Sequence, residues 1–190
     1  MRVFRKSRMF RKDEDLRGAS LFSRFLADQK GAYAIEFALV AIPFLALLFA
    51  IIETALVFFA DSILNNASAQ AARLIRTGQA QSQSLSAESF KSQICNAIAV
   101  PMFKCAKLHV DVKTYQEFGS VNLTKPLDED GNLVDDFNYD PGKGGEIVVV
   151  RVFYEWPIVV NSFGIHLADM ANGSRLLSSV FAFRNEPFPW

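Results

Sequence analysis

Residues able to carry chemistry are scarce in this chain. It has two histidines and two cysteines among 190 residues, and no G-x-S-x-G elbow, no P-loop and no G-x-G-x-x-G fingerprint. Nucleophilic catalysis of the hydrolase type and phosphate binding on a glycine-rich loop therefore have no support. His109 falls on the polar side of a strand pattern and His166 has no paired nucleophile, so both read as surface or packing histidines. The two histidines do not stand at zinc-finger spacing from Cys95 and Cys105. No metal, no cofactor and no enzymatic activity are expected.

Charge is missing from one long stretch. From Phe37 to Ile52 the chain reads FALVAIPFLALLFAII, and after Glu53 and Thr54 it resumes as ALVFFA. The 24 residues from Phe37 to Ala60 make about 36 Å of helix at ~1.5 Å per residue, enough to cross a bilayer core of about 30 Å with some tilt. A secretory signal has an apolar core of about 7–15 residues followed by a small-residue cleavage site. This run is too long for that and predicts a span that stays in the membrane.

The formal net charge of zero hides an asymmetry. Residues 1–30 hold nine of the 20 Lys and Arg and four of the 20 Asp and Glu, +5 in all, which leaves 11 bases and 16 acids, −5, on the remainder. A basic arm of this kind also suits a nucleic-acid tail. Its place beside an uninterrupted span favours topology instead: basic flanks stay in the cytoplasm, so the expected orientation is N-in, C-out, with no nucleic-acid partner.

Four zones follow: a basic leader over 1–31, a membrane segment over 32–60, an amphipathic helical extension over 61–78 and an exported head over 79–190. In the extension, Ile63, Ala67, Ala71 and Leu74 recur at helical spacing, Arg73 and Arg76 fall in the last turn, and Gly78 is a stop signal. QAQSQSLS (79–86) reads as a polar linker. Ser86 caps a second helix ending at Pro101, with Phe90, Ile94, Ala97 and Ile98 on one face. The period then changes to two: Leu108, Val110 and Val112 alternate with His109, Asp111 and Lys113. A loop rich in Asp, Asn and Gly runs over 119–145. EIVVVRVFYEW is the strongest strand, NSFGIHLADM is ambiguous, and SRLLSSVFAFRNEP reads as a last strand with Leu177, Ser179, Phe181 and Phe183 on one side. The fold class is α+β, a small antiparallel sheet covered by the alanine-rich half of the long helix.

Cys95 and Cys105 both lie in the exported part, where disulfides persist. A bridge between them is expected. The acidic loop DEDGNLVDDFNYD invites a calcium reading, but with Gly131 at position 6 of an EF-hand, Pro126 falls at 1 and Phe137 at 12. Asp130-Gly131 reads better as a tight turn.

Three residues along the span admit two readings each. Glu36 suits either an interfacial carboxylate paired with Lys30 or a partner for an α-amine on a neighbouring subunit. Pro43 removes the hydrogen bond to the Leu39 carbonyl and bends the helix, with or without a role. Glu53 either snorkels to the interface or pairs with a base or amide on a neighbouring helix.

The segment Gly31-AYAIEF-ALVAIPFLALLFAIIE resembles that of the TadE-like minor pseudopilins of tight-adherence (Flp, type IVc) pilus systems. Gly31, Glu36, Phe37, Pro43 and Glu53 match the family's pattern, and VVVRVFYEWP and the RNEPF ending are also similar to it. The resemblance implies a pilin-like fold, cleavage after Gly31 by a prepilin peptidase with Ala32 as the new N-terminus, and a role for Glu36 in recognition or subunit registration. It implies other pseudopilins, pilus-assembly membrane proteins and the lipid bilayer as partners. The location implied is a bacterial inner membrane, with the head periplasmic. The 31-residue leader is long against that pattern. The competing expectation is an unprocessed single-span protein whose periplasmic head binds or scaffolds.

Overall fold

A computed structural model describes residues 31–98, 100–159 and 167–189. The leader, Lys30, and the part of the ambiguous segment that contains His166 lie outside the described residues. The chain divides into two compact units, 1–48 and 49–190.

Helix α1 covers Ala32–Arg76 and continues through Pro43. It is the one helix among the described residues long and apolar enough to cross a membrane, consistent with a single-pass membrane protein. In the first unit its apolar side chains, from Tyr33 through Ile35, Phe37 and Phe44 to Leu48, stand exposed. Such a surface, broken among the charged residues only by Glu36, suits lipid and is a liability in water.

In the second unit the same helix acquires an inward face. Ala50, Glu53, Val57, Ala60, Leu64, Ala67, Ala71 and Ile75 are buried, a spacing of three and four residues that keeps one stripe turned to one side. Of the four residues that recur at helical spacing in the sequence, Ala67 and Ala71 are buried as expected, whereas Ile63 and Leu74 are half-buried and their neighbours Leu64 and Ile75 are buried in full. Beyond α1, Gln79–Ser82 forms a short helix α2 where a plain linker was expected. Its backbone is tied down because Ala80 is buried and Gln81 Nε2 donates to the Pro141 and Gly142 carbonyls at 2.7 and 3.2 Å.

Helix α3, Ala87–Ala97, starts as expected at Ser86, whose hydroxyl accepts the Ser89 N–H at 3.2 Å. Phe90, Ile94 and Ile98 are buried, whereas Ala97 faces outward. Three strands follow, β1 Leu108–Tyr115, β2 Ile147–Pro157 and β3 Ser174–Arg184, in an antiparallel sheet of order β1-β2-β3. The α+β class holds.

Alternation along β2 divides the core. Val148, Val150, Val152, Tyr154 and Trp156 join Leu177 on β3, Val112 on β1 and the stripes of α1 and α3 in one cluster. Phe181 and Phe183 pack against it, on the side of β3 expected. Phe153, Met170 and Leu176 make a smaller cluster on the opposite face, lidded by Leu127, Leu133 and Phe137 of the 119–145 loop. Alanines at 60, 67, 71 and 72 are the α1 side of that cluster together with Val57, Leu64 and Ile75. The 24 residues from Glu53 to Arg76 rise about 36 Å, and the 11 residues of β2 about 36 Å. Helix and central strand therefore match in length.

Candidate functional site

The residues singled out on the span fall into two environments. A Cβ built on Gly31 would meet nothing within 4 Å, so packing within the described residues gives no reason for glycine there. Glu36 and Phe37 are exposed on α1, and Glu36 has no hydrogen bond or ion pair among the described residues. Pro43 is also exposed. These positions present chemistry outward.

Glu53 is buried instead, and its Oε1 accepts the backbone N–H of Val159 at 2.5 Å. The amide that meets this carboxylate thus comes from the same chain, just past the end of β2. A charged acceptor on a backbone donor is among the stronger hydrogen bonds. It joins α1 to the sheet at the level where the buried stripe begins. Thr54 returns its hydroxyl to the Ala50 carbonyl at 2.8 Å and so hides its own polar atom.

Cys95 on α3 and Cys105, just before β1, lie at disulfide distance, with their Cα atoms 5.7 Å apart. The pairing holds α3 to the start of the sheet, next to Phe103, whose ring leans on Tyr154 at 4.6 Å and Trp156 at 5.6 Å.

Sequence alternation missed Asp111. It was expected on the solvent side of β1, but its side chain is 1% exposed. The 119–145 loop folds back over it: Asn138 N–H donates to Asp111 Oδ1 at 2.9 Å, and Arg151 of β2 donates from Nε and Nη2 to Oδ2 at 2.9 and 2.6 Å. The same loop strip runs parallel to the outer edge of β1. Val112 N–H donates to the Asn138 carbonyl at 2.7 Å and Asp140 N–H to the Val112 carbonyl at 2.9 Å. A pairing signal did exist in the sequence, an acid on β1 and a base on β2, but it had no register. On the same face His109 Nε2 lies 3.0 Å from Glu155 Oε1.

In the acidic loop, Leu127 and Leu133 bridge in antiparallel sense around a turn in which Asp128 Oδ1 accepts the N–H groups of Asp130 and Asn132 at 3.0 and 2.7 Å. Hydrogen bonds from the Asn132 backbone and side chain hold the Asp128 carboxyl below the usual range. Gly131 takes φ +80°, as a tight turn at Asp130-Gly131 requires.

The C-terminal segment closes the end of α1. Glu186 N–H donates to the Arg76 carbonyl at 2.9 Å, Asn185 Nδ2 donates to the Pro141 and Lys143 carbonyls at 3.0 Å each, and Phe188 covers Gly78. The RNEPF ending thus has a structural task, capping the Arg76 carbonyl at the end of α1 and tying the 119–145 loop beside it.

No curated protein and no solved structure matches this chain. A family model described as TadE-like protein does match, over residues 31–73. That match begins at Gly31, takes in Glu36, Phe37, Pro43 and Glu53, and ends three residues before the end of α1. By this segment the chain is similar to the TadE-like family, consistent with a TadE-like protein of Tad pilus systems.

Proposed function

We propose that this chain is a minor pseudopilin that takes part in assembling a Flp/Tad-type pilus. The basic arm stays in the cytoplasm, α1 crosses the inner membrane, and the sheet-bearing unit lies in the periplasm. A prepilin peptidase cuts after Gly31, so the chain serves as a substrate of an enzyme and is not itself one. The new α-amine of Ala32 pairs with Glu36 of a neighbouring subunit, and the exposed apolar side chains of α1 pack against other pseudopilins.

The observation that carries this reading is the family match starting at Gly31, together with a glycine that no packing within the described residues demands and an outward-facing Glu36 without a partner among the described residues. Outward-facing residues that the packing of the described chain does not use suit recognition by another molecule.

Mass spectrometry of the protein extracted from membranes should find an N-terminus at Ala32. Gly31→Ala should block the cut without unfolding the head, and Glu36→Ala should leave the cut chain poorly assembled. Piliated cells that contain only the uncut Met1 species would overturn the processing claim and leave the reading of an unprocessed span with a binding or scaffolding head.

A further inference from the structure

We propose that the end of the sheet nearest Glu53 is a lipid-dipping rim: the Pro157–Val159 segment and the Val100–Phe103 turn sit in the outer leaflet interface beside the membrane helix. The inference rests on the reading of α1 as a membrane span and not on pilus assembly.

Height along the helix carries the argument. The Glu53–Val159 hydrogen bond fixes the chain just past β2 at the level of residue 53. On the sides of α1 turned away from the sheet, exposed apolar residues continue past that level, through Leu56 and Phe58 to Phe59. Phe59 lies six residues beyond Glu53, about 9 Å further along the axis. Lipid that covers the helix as far as Phe59 therefore also reaches the level of Val159. The head does not stand clear of the bilayer at this end.

The composition of the end fits that depth. Val100-Pro101-Met102-Phe103 and Pro157-Ile158-Val159 contain no polar side chain. Val159 is 86% exposed and Met102 48%. Phe103 sets the turn beside the end of β2 through its contacts with Tyr154 and Trp156. A backbone N–H at such a depth needs a partner because water is scarce, and Glu53 supplies one to Val159. Lys104 follows directly and is exposed; its own N–H donates to the Tyr154 hydroxyl at 2.9 Å. Its ammonium lies where headgroup phosphates would receive it. The opposite end of the sheet, at Lys143 and Glu186, is polar and exposed.

The test uses the full chain in phospholipid bilayers, carrying a nitroxide on Val159→Cys, Met102→Cys, Lys143→Cys or Phe44→Cys, with the native cysteine pair kept oxidised. Relaxation by dissolved oxygen reports lipid, and relaxation by a water-soluble nickel chelate reports water. The expected result is loss of nickel relaxation and gain of oxygen relaxation at Phe44, Val159 and Met102, with the reverse at Lys143. If Phe44 is shielded while Val159 and Met102 respond to nickel as Lys143 does, the rim is wrong and the span survives. Nickel relaxation at Phe44 overturns the span and the rim with it. Shielding of Val159 and Met102 from both reagents would show a protein surface, such as a second copy, at this end and overturn the lipid assignment.

Discussion

Asp111 and Arg151 face each other across β1 and β2, and the guanidinium reaches one carboxylate oxygen through both Nε and Nη2. With Lys113 Nζ at 3.4 Å and the Asn138 N–H as further partners, a carboxylate almost sealed from water is compensated on every side. Taking away one partner of a buried pair leaves the other charge exposed to a low dielectric. Asp111→Ala is expected to cost about 3–5 kcal/mol, read as a lowered midpoint of thermal unfolding of the full chain in detergent. It should also free the 119–145 loop, with faster hydrogen exchange at Asn138. An unchanged midpoint would remove this pair from the account of the fold.

Tyr139 makes a pH prediction. Burial pushes its hydroxyl up to about 12 from an ordinary 10.0; the oxygen has no hydrogen-bond partner among the described residues, and the ring leans on Phe90 at 5.5 Å. A raised folded-state value means that the native chain keeps a proton the unfolded chain has lost. Stability should therefore be flat below pH 10 and fall between about 10 and 12. Tyr139→Phe should flatten that slope at this site and raise stability near neutral pH by up to about 1 kcal/mol, since no hydrogen bond is lost. Denaturant melts at pH 8, 10 and 11 on both proteins would show it; parallel curves would count against it.

The cysteine pair closes a loop of 11 residues, Cys95 to Cys105. In the chain-entropy relation such a loop stabilises by about 2.5–3 kcal/mol. Cys95→Ser with Cys105→Ser should lose about that amount relative to the oxidised protein, and reduction should give nearly the same loss. Two free thiols in the intact mass of protein extracted from membranes without reductant would end the prediction.

Gly78 is expected to resist substitution for two separable reasons. Its φ of +76° lies in the left-handed region, and a Cβ there would come within 2.6 Å of the Phe188 ring. Gly78→Ala should cost roughly 1–3 kcal/mol. Pairing it with Phe188→Ala should recover only the steric part, as seen by comparing both single variants with the double. Full recovery in the double variant would show that backbone strain contributes nothing.

Much of this fold is legible in the sequence. The 3.6-residue period of 61–76, the Gly78 stop and the Ser86 cap are local signals, and each stands where local chemistry puts it. The β2 and β3 strands were legible because β-branched and aromatic runs need no distant partner to be recognised. The Ala97 face and the short α2 helix were not, because Gln81 finds its carbonyls 60 residues away along the chain. Asp111 misled the alternation rule because a loop that covers a strand face leaves no mark in the strand itself.

At Glu36 and Pro43 the local chemistry is that of the residues alone, since both side chains are exposed, and at Gly31 no neighbour lies within 4 Å of a built Cβ. The sequence determined that Phe37–Ala60 is helical and lipid-soluble, because an apolar run of that length has few other stable forms. Only the tertiary structure decided how that run is shared. A helix apolar on all sides carries no periodicity to say which side meets lipid and which meets protein. The answer came from elsewhere in the chain: the Val159 N–H reaches Glu53, and the core shared with the sheet claims Val57 and Ala60 while Leu56, Phe58 and Phe59 stay outside.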